Sequence, residues 1–335
     1  LEGDLRENIK LAVRKAMEEA EWKKHINPDL VTYIKFNMPW CDFLLPGMCA
    51  NPAVLEGVVE TVKDYVDDIY LIEGIAAARQ SFKKGCEINR YTDIVNKATK
   101  SIHLLNVGIE KMQEVSIDGV PFPIKIPKIL LKEDKNYISV SPIKTHSIAK
   151  YSGVLKNSFG VTHHKRVLYH FHLDKVIAGV NKAINPNFGV LDGTVGLEGN
   201  GPANGRPIKL NRILCSGDLV ALDFVGCRTA HINPFEVPNI IECEKVFEKN
   251  VQSIKIRGPL VRKEFEPAKP QKYAQLMFWL MRHGITRKIM FDWLWWLGTW
   301  GVKQIRNFWY WRQGKKYVNN FFYAHPKYKE IYGVI

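Results

Sequence analysis

Apolar positions in this chain recur first at helical spacing, then in short β-like runs, and the two patterns keep alternating. Asp4–Ala20 has the periodicity of an amphipathic helix. Leu30–Phe36 then reads as a strand, Pro52–Tyr65 as a helix and Asp68–Ile72 as a second strand. Strand-like runs return at Ser101–Leu105, Ile124–Leu131 and Tyr137–Ser141. Further on, the spacing predicts helices over Val167–Ile184, Asp218–Ala230 and Val237–Lys249, with strands at Gly189–Leu191, Ile208–Cys215 and Val251–Ile256. Strands alternating with helices define an α/β protein, a mostly parallel sheet covered by helices. Ligands of such sheets gather at the carboxyl ends of the strands, so a motif directly following a strand carries extra weight.

The pattern changes near Arg257–Gln271, a stretch rich in proline and charge. It divides the chain into an α/β part, residues 1–257, and a helical aromatic-rich C-terminal extension, residues 258–335. Seven of the nine tryptophans lie at or after Trp279, interleaved with Arg282, Arg287, Lys288, Lys303, Arg306, Arg312, Lys315 and Lys316. Rings at headgroup level with cations toward acidic lipids would make residues 272–316 an interfacial element. The competing readings are a helical cap on the core or a homodimer contact. On the lipid reading, removing 272–335 should abolish membrane binding and leave the anion pocket of the α/β part intact.

The net charge of +14 favours an anionic partner: a phosphorylated or carboxylated ligand, nucleic acid or an acidic membrane surface. No RNA- or DNA-binding module is recognisable, which makes nucleic acid an unexpected partner. The six cysteines contain no CxxC pair, so zinc-ribbon and ferredoxin-type spacings are missing. The expected setting is therefore reducing and cytoplasmic, peripheral at the membrane if the tail meets lipid. Leu1–Ala20 reads as a charged helix rather than a signal peptide, and no run reaches the roughly 18 apolar residues of a spanning helix.

The chemistry-bearing segment is Tyr137-Ile-Ser-Val-Ser-Pro-Ile-Lys144-Thr-His146, followed by Gly153-Val-Leu-Lys156-Asn157-Ser-Phe-Gly160. A strand delivers Lys144 and His146 to its carboxyl end, and Lys156 and Asn157 follow in a glycine-framed turn. Such cations, with an imidazole and an amide, can clamp an anion or a developing oxyanion. His146 has the ordinary pKa for proton transfer near neutrality, so His146 and Lys144 are the catalytic candidates. The glycine-dense stretch Glu198–Gly205 exposes backbone N–H groups, with Asn200 and Gly201 as ligand contacts, but it matches no Walker or GxGxxG pattern. His163, His164 and His170, with Glu198, are the candidate ligands of a divalent metal. Their irregular spacing equally suits histidines that pair with an anion. Asp218 reads as an N-cap.

Taken in order, Lys-Thr-His, Gly-x-x-Lys-Asn-x-x-Gly, Asp192-Gly193, Glu198-Gly-Asn-Gly-Pro202, Ser216-Gly-Asp218 and Ala221-x-Asp223 resemble domain-of-unknown-function family 362. Lys35-Phe-Asn37, at the end of the first strand, and Glu73-Gly74, at the end of the second, stand where that family has its own strand-end residues. The resemblance covers about Val31 to Ala230 and implies that Lys35, Asn37, Lys156 and Asn157 bind substrate and that Asp218 borders the site. It implies no general activity. Many members carry a ferredoxin-like iron–sulfur segment, and this sequence has no such cluster motif. The family is also similar in character to the nickel-cofactor lactate racemases, which use lysines and histidines at an anionic cofactor. The leading expectation is an enzyme of oxidoreductase or isomerase type that moves a proton or hydride on a small anionic substrate or anionic cofactor. The competing class is a non-catalytic protein that binds anions or a membrane surface.

Overall fold

The computed structural model describes residues 4–74, 80–98, 101–269, 279 and 294–334. Its sheet is built around central strands, those beginning at Thr32, Ile69, Asn136 and Phe188, that are buried on both faces. β1 (Thr32–Phe36), β2 (Ile69–Glu73), β3 (Ile102–Asn106), β6 (Asn136–His146), β8 (Phe188–Asn200) and β9 (Asn204–Ser216) pair in the order β3-β2-β1-β6-β8-β9. Pairing is parallel from β3 through β8, and only β9 runs antiparallel, to β8. A short β7 (Lys150–Ser152) folds back antiparallel on β6. β4 (Met112–Val115) and β5 (Ile124–Pro127) form a separate hairpin. Every residue of β6 is buried, as expected of a central parallel strand with helices on both faces.

The strand order reverses between β1 and β6. From β1 the chain steps outward to β2 and β3, then returns across β1 to β6. In sheets of this kind the carboxyl ends of the two strands flanking such a reversal are where side chains gather around a ligand.

Helices α1 (Leu5–Glu19) and α2 (Pro52–Val62) pack together and share one core with β1 and β2. α2 starts at an Asn51 cap followed by Pro52, and the Asp192 carboxylate binds the Asn51 N–H at 2.8 Å, tying this helix to β8. The other face of the sheet is covered by α6 (Leu173–Ile184), α7 (Leu219–Thr229) and α8 (Pro238–Val246). Between α2 and these lie α3 (Phe82–Ile88), α4 (Tyr91–Asn96) and the single turn α5 (Val154–Asn157).

Several expectations need correction. The helix expected over Val167–Ile184 is a 3-10 segment through His172, and α6 begins only at Leu173. Val251–Ile256 is not a strand; a 3-10 turn spans Val251–Ser253, and no ladder partner reaches it among the described residues. The short run at Gly189–Leu191 belongs to a 13-residue strand, so the glycine-dense stretch Glu198–Gly205 is the tip of the β8–β9 hairpin.

The C-terminal segment contributes α9 (Trp295–Trp309), a π turn at Tyr310–Gly314, α10 (Lys315–Ala324) and α11 (Tyr328–Tyr332). Val318, Phe321, Phe322, Tyr328, Ile331 and Tyr332 are buried in the core that also holds α1, α2 and β1. Removing 272–335 would therefore strip that core as well as any lipid contact. Phe322→Ala should cost about 3–5 kcal/mol of unfolding free energy in a urea titration, the range for a buried phenylalanine. Much of the aromatic stretch considered above, residues 270–278 and 280–293 with Trp293, lies outside the described residues, as do the side chains of Trp295 and Trp296. Among the described residues no helix is long and apolar enough to cross a membrane.

Candidate functional site

Three lysines converge at the reversal point. Lys35, at the end of β1, is fully buried; its ammonium reaches the Glu73 carboxylate at 2.9 Å, the Phe36 carbonyl at 2.7 Å and Asn157 Oδ1 at 2.9 Å. Burial lowers its pKa, against the pull of Glu73. Lys144, near the end of β6, is equally buried and donates to Asn37 Oδ1 at 2.6 Å and to the Met48 carbonyl at 2.8 Å. Burial pushes it down to about 8, while Cys49 and Glu73 pull the other way. An ammonium has three donors, so these contacts leave Lys144 one N–H to offer.

Lys156 differs from both. It is partly exposed at the end of α5, and among the described residues its ammonium has no hydrogen-bond or ion-pair partner. It lies over the Phe159 ring at 5.6 Å. Burial, then the charges of Lys144, Arg166 and Lys35, push it down to about 7. Arg166 is held by the Gly160 and Thr162 carbonyls at 3.0 and 3.1 Å, and burial lowers its pKa also. Four cations thus crowd a site whose nearest acid, Glu73, is already bound to Lys35, Met38 N–H and Gly74 N–H.

Asn157 holds this arrangement together. Its Nδ2 donates to the Lys35 carbonyl, Ser139 Oγ and the Val140 carbonyl, and its Oδ1 accepts from Lys35 and Asn37. That amide's capacity is spent inside the protein, joining β1 to β6. The turn carrying Lys156 and Asn157 is anchored from below by Asp223, a residue sequence reasoning singled out only as part of a motif. Buried on α7, Asp223 accepts the Val154 and Leu155 N–H groups, both at 2.9 Å, and the Tyr151 hydroxyl at 3.3 Å. Only glycine fits at 153, because a Cβ there would stand 2.0 Å from Asp223 Oδ1. Burial raises the Asp223 carboxyl to about 7.

His146 is buried, and its Nδ1 accepts the Ile148 and Ala149 N–H groups, both at 3.1 Å. That contact leaves the neutral ring its proton on Nε2. Burial, then Lys156 and His170, hold its pKa well below the usual histidine range, so it stays uncharged at neutral pH. His170 faces the same neighbourhood: burial and then Lys156 push it down to about 4. The His163 and His164 rings lie 4.0 Å apart, tilted at 44° to each other, beside Lys125 of β5. Glu198 is bound to Arg206 at 2.6 Å and to the Glu266 N–H at 3.0 Å. Among the described residues no three of His, Cys, Asp and Glu stand where they could hold a metal ion.

The hairpin tip packs on protein backbone. Thr145 Oγ1 donates to the Gly199 carbonyl at 2.7 Å, Gly201 accepts the Ser147 N–H, and a Cβ on Gly201 would collide with the Thr145 carbonyl. Asn200 Oδ1 accepts the Lys269 N–H at 2.9 Å. The glycines permit this close approach of two chains. Asp218 is the N-cap of α7, accepting the Val220 and Ala221 N–H groups at 3.0 Å, as expected. Its carboxylate also pairs with Lys249 at 3.3 Å, and Ser216, two residues before it, is level with Gly189 of β8. All six cysteines are free thiols, five of them buried.

Fold and site together define an α/β protein with a buried cation cluster at the carboxyl ends of its parallel strands. The chain belongs to the family described as Domain of unknown function (DUF362), whose model matches residues 32–228. It is also similar to the Thylakoid-associated protein sll1697 of Synechocystis sp., with 29% identity over 117 residues, 32% of this chain and 36% of that protein. The match thus spans little more than a third of that relative. Among solved structures, the lactate racemase apoprotein from Thermoanaerobacterium thermosaccharolyticum is similar over 65% of this chain and 55% of its own, with 13% identity and a TM-score of 0.42. A protein from Thermotoga maritima is similar over 59% and 52%, with 13% identity and a TM-score of 0.37.

Proposed function

We propose that this protein is an enzyme that binds a small carboxylate or phosphate at Lys156 and moves a proton beside that anionic group. One observation carries the reading: an ammonium that is partly exposed and, among the described residues, without a counter-charge, backed by three further cations at the point where the strand order reverses. A bound anion supplies the missing charge. Lys156 would meet it directly, with the spare N–H of Lys144 and the Nε2–H of His146 as further donors, while Lys35 and Asn157 fix the frame.

Lys156 also suits proton transfer, because a group titrating near pH 7 can both take and return a proton there. His146, with Nδ1 engaged, acts in this scheme as a donor and orienting group. The chemistry expected is isomerase-like, a proton removed and returned next to a carboxylate. A non-catalytic anion-binding protein would bind the same ligands without exchanging their protons.

Calorimetric titration with sulfate, which does not itself titrate near neutrality, tests the site. Lys156→Ala should weaken binding by about 1.5 to 3 kcal/mol, the range for a hydrogen bond to a charged group. Lys150→Ala, whose ammonium pairs with Glu236 on the surface, should change nothing. Deuterium exchange into short hydroxy and oxo acids, followed by proton NMR, tests the catalysis; no exchange with any of them would leave only binding.

The pH dependence has a definite sign. The Lys156 pKa is depressed from 10.5 to about 7 in the folded protein, so between these values the unfolded chain binds the extra proton and folding gains stability as pH rises. Sulfate favours the protonated amine, so its affinity should be greatest below about pH 7 and fall by up to about tenfold per unit above it. Lys144 extends that fall to about pH 8. A flat affinity from pH 6 to 9, in roughly the window these shifts define, would exclude Lys156 from the anion site.

A further inference from the structure

α9 is amphipathic in an unusual sense. Its inward face carries the polar contacts: Lys303 pairs with Asp42 at 3.3 Å, and the Arg306 guanidinium lies 4.6 Å over the Trp40 ring. Just beyond the helix, Tyr310 stacks on Phe43 with ring centroids 4.1 Å apart. The outward face carries Leu297, Trp300, Ile305 and Phe308, which fall within an arc of roughly 140° at about 100° per residue. Trp300 is 51% exposed, Phe308 65%, and Trp311, in the following turn, 69%. An apolar face this continuous on a protein surface marks an interaction site.

The surrounding charge selects the partner. Residues 294–334 contain seven lysines and arginines against one acid, Glu330. Arg312, Lys315 and Lys316 are exposed beside the aromatic face, and the Lys315 ammonium lies 4.7 Å over the Trp311 ring. Two copies meeting through this face would press cationic rims together. A lipid surface with anionic headgroups matches both parts, apolar rings toward the acyl boundary and cations toward the phosphates.

We infer that the outward face of α9, with Trp311 and the first turn of α10, docks this protein on an anionic lipid surface without crossing it. The helix rests on Trp40, Asp42 and Phe43, in the segment after β1 whose Met48 carbonyl holds Lys144. Docking therefore brings the carboxyl edge of the sheet, with its lysines, close to the membrane surface.

The test is co-sedimentation of the full chain with vesicles of phosphatidylcholine alone or mixed with phosphatidylglycerol. Binding to the anionic vesicles is expected at low salt and should drop at least tenfold at high salt, because screening shortens the reach of surface charge. The triple variant Trp300→Ala, Phe308→Ala, Trp311→Ala removes only exposed side chains and should lower the partition coefficient at least tenfold. Its sulfate isotherm should match that of the unaltered protein, which separates loss of docking from loss of the anion site. Three outcomes would overturn the inference: no binding to anionic vesicles, equal binding by the triple variant, or a self-association abolished by the same three substitutions.

Discussion

Lys35→Met should destabilise the protein by about 3–5 kcal/mol, the cost of leaving a buried charge without its partner. The Lys35 ammonium and the Glu73 carboxylate are both buried, 2.9 Å apart, between the ends of β1 and β2. Methionine fills the volume but leaves Glu73 facing an apolar side chain and takes one donor each from Phe36 O and Asn157 Oδ1. A second substitution, Glu73→Gln, removes the stranded charge and should restore a large part of the loss. Urea denaturation of the two single variants and the double gives the coupling directly. Additive losses would mean that the two groups do not sense each other.

Asp223→Ala should have a comparable effect by another route. Two backbone N–H groups and a tyrosine hydroxyl would lose their acceptor inside the core, at about 1–3 kcal/mol for each buried donor left unsatisfied. The turn they hold bears Lys156 and Asn157, so sulfate binding should fall beyond what the fraction unfolded explains. Asp223→Asn keeps one acceptor oxygen and should lie between. Because burial raises this carboxyl from 3.8 to about 7, the folded state binds its proton more tightly than the unfolded chain does. Its contribution to stability is full below about pH 4 and is lost as pH rises through about 7, a dependence that Asp223→Asn should remove.

The alternating pattern revealed the sheet because its strands are nearly all apolar and bounded by turn residues. It stopped short where glycine and charge enter a ladder: Gly193, Gly196, Glu198 and Gly199 read as loop, yet hydrogen bonds to β9 hold them in β8. The 3-10 stretch before α6 was hidden for the opposite reason. Val167, Leu168 and Tyr169 continue the apolar spacing of a helix, while the backbone winds as a 3-10 coil and the His170 ring Nδ1 lies 3.2 Å from the Arg166 and Val167 carbonyls.

Within the site, Lys35, Lys144, Lys156 and Asn157 were visible as polar residues at the ends of apolar runs. Their division of labour was not. Lys144 and Lys156 look alike in sequence, and only the fold shows one tied to Asn37 and Met48 while the other is partly exposed and, among the described residues, without a hydrogen-bond or ion-pair partner. Arg166 and Asp223 were harder still, one in a histidine-rich stretch and one inside a helix. What recommends them is the carbonyls and N–H groups they meet across the fold.

The central claim is that the Lys156 ammonium awaits an anion. Crystals soaked in selenate, an anomalous scatterer shaped like sulfate, would test it most directly. The account predicts a selenium peak within hydrogen-bond distance of Lys156 Nζ, on the side shared with Lys144 and His146, and its loss in Lys156→Ala. Selenate bound only elsewhere on the basic surface, with this site empty, would contradict it.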